Sequence, residues 1–127
     1  MTAPSSAPPA TAPPARYHSV FREGLFAGRA FWVTGGGSGI GRCVAHELAS
    51  LGARVIVSGR TQDKLDRVAQ EIREDGGQCD TIAFDIRDED AVKASVAAMV
   101  HKVGRIDGLV NNAGGQFLAP AETITPK

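Results

Sequence analysis

The chain has 127 residues, 43% of them apolar and 22% charged, and its 14 Lys+Arg balance 14 Asp+Glu to leave no net formal charge. That make-up fits one soluble globular domain, and the charge balance argues against nucleic acid as the main partner, because counterion release rewards a basic face. No stretch approaches the ~20 consecutive apolar residues needed to cross a bilayer, so a membrane-spanning helix is excluded.

The opening MTAPSSAPPATAPPA holds five of the seven prolines and no charged side chain. Such a segment cannot bury enough apolar surface to order itself, and Ala interrupted by Pro is not a secretory leader. Residues 1–16 are therefore expected to be a disordered Ala/Pro-rich tail, and 17–127 the domain. Tyr17, Val20, Phe21, Leu25 and Phe26 form a first apolar cluster, expected to dock the end of the tail on the domain.

From Ala30 the hydrophobic period alternates. Ala30 to Val33 is a short apolar run leading into TGGGSG, which suits a buried strand ending in a turn. Ile40, Val44, Leu48 and Leu51 then recur at helical spacing and predict one buried stripe, closed by Gly52. Val55, Ile56 and Val57 are continuous and β-branched, as in a strand covered on both faces. Thr61 is placed to cap a second helix with the stripe Leu65, Val68, Ala69 and Ile72, ending at Gly76 and Gly77. A third strand runs through Thr81 to Phe84. Asp88 caps a third helix carrying Val92, Val96, Met99, Val100 and Val103, and Gly104 closes it. Ile106, Leu109 and Val110 form a fourth strand before NNAGG. The order βαβαβαβ predicts an α/β fold: a doubly wound parallel sheet of four strands in the order three, two, one, four, with three helices on its two faces. The fourth strand is then an open, apolar, aggregation-prone edge.

Cys43 and Cys79 lie in no CxxC or zinc-type pattern and are expected to be buried or half-buried thiols in a reducing, cytoplasmic compartment. His18, His46 and His101 are scattered, so no metal site is expected.

In a doubly wound sheet, ligands sit beyond the carboxyl ends of the strands. The first such end is Thr34-Gly35-Gly36-Gly37-Ser38-Gly39-Ile40-Gly41. Glycines there permit a tight turn and close backbone approach to a phosphate, and the following helix offers free N–H groups and its positive dipole end. The spacing is TGxxxGxG rather than GxGxxG. It also matches the glycines of a nucleotide-hydrolase P-loop, but Arg42 stands in place of the lysine and Cys43 in place of the magnesium-binding hydroxyl. A purely structural turn is the remaining alternative.

TGGGSGIG, FDIRD and NNAG, in that order at the ends of strands one, three and four, resemble the short-chain dehydrogenase/reductase family, whose cofactor domain is of the Rossmann type. The resemblance covers Leu25 to Thr125. The closing NNAGGQFLAPAETIT is also similar to peroxisomal trans-2-enoyl-CoA reductases and to bacterial citronellol or citronellal dehydrogenases. The resemblance implies that Gly35, Gly37, Ser38, Gly39, Ile40 and Gly41 wrap a dinucleotide pyrophosphate. It implies that Asp85 accepts a hydrogen bond from the adenine amino group, with Ile86 beside the ring, and that Asn112, Ala113 and Gly114 line the nicotinamide-side ribose. Asn111 is expected to tie strands together.

The end of the second strand, Ser58-Gly59-Arg60, implies the cofactor's identity. Members that use NAD often carry Asp where this chain has Gly59, whereas Arg60 implies a 2′-phosphate and hence NADP, with NAD the alternative. Some NADP-dependent relatives have a basic residue where this chain has Ser38. Arg42 either adds positive field or faces solvent. The family's catalytic tyrosine and lysine lie beyond the fourth strand, and Tyr17, the sole tyrosine, is followed by no lysine at that spacing. The expected function is therefore the cofactor-binding amino-terminal part of an NADP-dependent oxidoreductase acting on a carbonyl, alcohol or enoyl-CoA, a homo-oligomer if extended. The alternative is a non-catalytic nucleotide-binding module or an inactive truncated product.

Overall fold

The structure, a computed structural model, describes residues 17–114. Four strands, β1 (Ala30–Thr34), β2 (Arg54–Gly59), β3 (Gln78–Ala83) and β4 (Gly108–Val110), alternate with α1 (Gly39–Ser50), α2 (Gln62–Glu74) and α3 (Glu89–Val103). All neighbouring strands are parallel, in the order β3-β2-β1-β4. This is the expected doubly wound α/β sheet. No helix among the described residues is long and apolar enough to cross a membrane.

Alternation along the strands divides the core. Val33, Val55 and Val57 point to one face and pack with Ala45, Ala49, Leu65, Val68 and Ile72 from α1 and α2. Trp32 and Ile56 point to the other and meet Met99 of α3, with Ile82 and Phe84 alongside. The Trp32 indole N–H donates to Ser58 Oγ at 2.8 Å, so neither buried polar group is left unpaired. Both faces are covered, which explains why β2 reads as an unbroken apolar run.

Several expectations change in detail. The buried stripe of α1 is Gly41, Ala45 and Ala49; Val44 and Leu48 are only half-buried, and Ile40 is 75% exposed at the helix start. Small residues face the sheet because the helix lies close against it, and the strand valines fill the space. On α3, Ser95 and Met99 are buried, whereas Val96 and Val100 stay exposed, because no described element packs on that side. β3 begins three residues early, at Gln78, held in register by Arg54 Nε donating to Asp80 at 2.7 Å. β4 is shorter than expected and omits Ile106, which packs beneath Trp32's face of the sheet.

The leader is not an apolar cluster. Tyr17, Val20, Phe21 and Leu25 are exposed, and only Phe26 joins the core, 4.8 Å from the ring of Phe31. Hydroxyls dock the segment instead: Tyr17 and Ser19 both donate to the Glu47 carboxylate on α1, which holds that carboxyl below its usual range. Of the thiols, Cys79 is buried and Cys43 is exposed, contrary to expectation for the latter, since it stands on the solvent side of α1.

Candidate functional site

At the carboxyl ends of the strands, the turn after β1 is built from close approach. A Cβ on Gly36 would stand 2.7 Å from the Val57 side chain, and Gly36 N–H donates to Ser58 O at 3.1 Å, so the turn is pressed onto β2. A Cβ on Gly41 would stand 2.2 Å from the Gly35 carbonyl oxygen, so the first turn of α1 lies directly on the strand's end. Only Gly35 (φ 66) and Gly39 (φ 55) need the left-handed backbone here.

Thr34 fastens this turn to the end of β4. Its hydroxyl donates to Val110 O and accepts from the N–H groups of Asn112 and Ala113, both at 3.0 Å. The Asn112 amide Nδ2 donates to the carbonyls of Thr34 and Gly35 at 3.2 Å. Asn112, not Asn111, is thus the strand tie: Asn111 is exposed, because the chain turns inward only at the following residue. Thr34's anchoring role was not foreseen, although a hydroxyl at the last residue of a buried strand is its signal.

These elements enclose an open cleft of about 520 Å³. Gly35, Gly37 and Ser38 line it from the turn, Arg60 from the end of β2, Asp85 and Ile86 from the end of β3, and Ala113 and Gly114 from the end of β4. Gly39 and Ile40 stand outside it at the exposed start of α1, and Gly41 and Asn112 lie behind the turn as its support. Sequence reasoning missed six lining side chains: Ser58, Thr61, Lys64 on the first turn of α2, Leu65, Phe84 and Arg87.

The cleft's charge differs from that of the chain. Its lining carries three cations, Arg60, Lys64 and Arg87, against one carboxylate, Asp85, in a protein of zero formal net charge. Arg87 belongs to Asp85: its guanidinium reaches Oδ2 at 2.7 Å, and its backbone N–H reaches Oδ1 at 2.9 Å. Those bonds, with a smaller contribution from Arg60, hold the Asp85 carboxyl down at about 2, so it is an anionic acceptor at any working pH. Arg60 and Lys64 form no ion pair among the described residues. Arg42, by contrast, spends its charge on Glu71, which it shares with His46, and so ties α1 to α2.

A second hollow of about 560 Å³ lies at the opposite end of the sheet, between the leader and the last turns of α1 and α2. It shares no lining residue with the cleft and borders the amino ends of β2 and β3, where this topology places no ligand.

A parallel sheet in the order 3-2-1-4, with a glycine turn and a cationic cleft at the carboxyl ends of its strands, defines a dinucleotide-binding α/β domain. Residues 29–127 match the family described as short chain dehydrogenase, and the chain belongs to that family. It is 39% identical over 98 residues to a probable 2,4-dienoyl-CoA reductase of Bacillus subtilis, covering 77% of this chain and 39% of that protein. It is 38% identical over 109 residues to a probable 2,4-dienoyl-CoA reductase of Caenorhabditis elegans, covering 84% and 35%. Among solved structures, a citronellol catabolism dehydrogenase of Pseudomonas aeruginosa superposes with a TM-score of 0.76 at 54% identity, over 86% of this chain and 44% of that one. A metagenomic short-chain oxidoreductase in complex with NADP gives 0.71 at 41% identity, over 80% and 47%. The chain thus spans well under half the length of the curated relatives it matches.

Proposed function

We propose that this chain is the cofactor-binding part of an NADP-dependent oxidoreductase. The carrying observation is the end of β2: Gly59 presents no carboxylate to a ribose 2′-hydroxyl, and Arg60, one residue on, lines the cleft and forms no ion pair among the described residues. A guanidinium in that position suits a 2′-phosphate through paired N–H donors and a permanent charge. The rest of the cleft's lining supports a dinucleotide. The turn at Gly35, Gly37 and Ser38 and the start of α1 at Gly39 and Ile40 offer backbone N–H groups to the pyrophosphate, and Gly41 lets the helix sit close enough behind them. Asp85 and Ile86 offer an acceptor and an apolar edge to adenine, and Ala113 and Gly114 border the nicotinamide-side ribose, with Asn112 holding that corner from behind. When bound, the nicotinamide supplies or accepts the hydride.

In the whole protein the substrate is a carbonyl, an alcohol or an enoyl-CoA. The names of the dienoyl-CoA reductases and of the citronellol catabolism dehydrogenase support those classes. Free Cys43 and Cys79 are in keeping with a cytoplasmic setting. The test is titration of the chain with NADPH and NADH by nicotinamide fluorescence, beside Arg60→Asp. NADPH binds more tightly by roughly ten- to a hundredfold, the scale of one hydrogen-bonded charge, and the variant loses that margin. A preference for NADH refutes the proposal.

A further inference from the structure

We propose that Lys64 is a second specificity-determining residue for the cofactor, sharing the 2′-phosphate with Arg60. This rests on the NADP reading above and extends it.

Lys64 is the third residue of α2, in the first turn, where the helix dipole is positive and a carboxylate, not an ammonium, is the stabilising choice. Asp63 supplies that carboxylate next to it, yet among the described residues Lys64 itself forms no ion pair, and Asp85, which lines the same cleft, is held by Arg87. Thr61, the N-cap, makes no side-chain cap bond, so the amides of the same turn lack a side-chain acceptor as well. A cation that its own helix disfavours, beside Arg60 in a cleft with an excess of positive charge, is arranged for an anion from outside.

The geometry says which anion. A Cβ built on Gly37 would stand 3.2 Å from Lys64 Cβ, so the first turn of α2 lies against the glycine turn next to Ser38. Here the turn is uncharged, and Lys64 delivers the charge across the gap from α2. Gly37 is then required to be small, because a side chain there would push Lys64 and Leu65 away. Arg60 and Lys64 both line the cleft where the end of β2 meets the turn, and an adenosine 2′-phosphate is the dinucleotide group that falls between those elements.

The test uses the 127-residue chain with two probes, adenosine 2′,5′-bisphosphate and 5′-AMP, titrated calorimetrically at fixed ionic strength. Wild type is compared with Lys64→Gln and Lys64→Arg, and urea midpoints are recorded for each. Lys64→Gln weakens the bisphosphate about fivefold, the scale of one exposed charge pair. It leaves 5′-AMP and the urea midpoint within the spread of a neutral surface change, about twofold in affinity. Lys64→Arg keeps the bisphosphate affinity. Full retention of the bisphosphate preference in Lys64→Gln overturns the assignment while the NADP reading stands, as does equal weakening of both probes. A wild-type chain that does not prefer the bisphosphate to 5′-AMP overturns both.

Discussion

Replacing Gly41 by alanine separates two reasons for a glycine at the start of α1. If the position only needed to leave room for a ligand, alanine would stabilise the helix, by about 1 kcal/mol on intrinsic propensity. The geometry predicts the opposite sign. The new methyl would stand 2.2 Å from the Gly35 carbonyl oxygen and 2.5 Å from Asn112 Nδ2. A carbon–oxygen contact relaxes near ~3.3 Å, so strand end and helix must separate by about 1 Å. Overpacking of this kind costs roughly 1–3 kcal/mol, and the upper end applies because the obstacle is backbone. Separation also strains the 3.2 Å bond from Asn112 to Gly35 O, worth about 1 kcal/mol. Set against the helix-propensity gain, the net loss is about 2–3 kcal/mol. With a urea slope of ~1.5 kcal/mol/M, the midpoint falls by about 1.3–2 M. A midpoint unchanged or raised would show that the turn and helix are not in contact as described.

Thr34→Val removes the hydroxyl shared by Val110 O and the N–H groups of Asn112 and Ala113. It is expected to cost about 1–3 kcal/mol in urea unfolding, and NADPH binding weakens with it, because those amides lose their acceptor. Asp80 accepts from Arg54 at 2.7 Å and pairs with Lys102 at 2.9 Å; burial works against its charge, but the two cations prevail and hold its carboxyl below the ordinary value. Its contribution is therefore complete above the unfolded carboxyl range, near pH ~4, and fades as pH falls through the lower folded value. Asp80→Asn is less stable than wild type at pH 7, and the gap narrows on acidification; a gap that widens on acidification would reverse the sign. Burial pushes the Cys79 thiol up to about 12, whereas Cys43 is exposed, so a thiol reagent modifies the native chain at Cys43 alone. Mass spectrometry showing early labelling of Cys79 would contradict that burial.

The fold was legible because the period of the apolar residues switches at every element, and because Gly52, Gly76 and Gly104 end the three helices with positive φ. Which side of a helix is buried was less legible. In α1 the large residues Ile40, Val44 and Leu48 suggested the buried face, but close approach to the sheet selects Gly41, Ala45 and Ala49. A periodicity count weights size and cannot see interaxial distance. In the site, the residues at strand ends could be placed from the motifs, since topology brings all four ends together. Lys64 could not, because its place in the cleft follows from α2 packing against Gly37, a contact between residues 27 positions apart. The exchange of Asn111 for Asn112 has a similar origin: which of two adjacent asparagines turns inward is decided by where β4 ends.

The central claim is that the cleft at the carboxyl ends of the strands holds a dinucleotide. Amide hydrogen exchange of the chain, with and without saturating NADPH, tests it most directly. The expected result is slowed exchange at three separate segments, Gly35 to Gly41, Arg60 to Lys64 and Asp85 to Arg87, with the hollow beside His46 and Asp75 unchanged. Protection confined to that opposite hollow, or none at the glycine turn, would contradict the account.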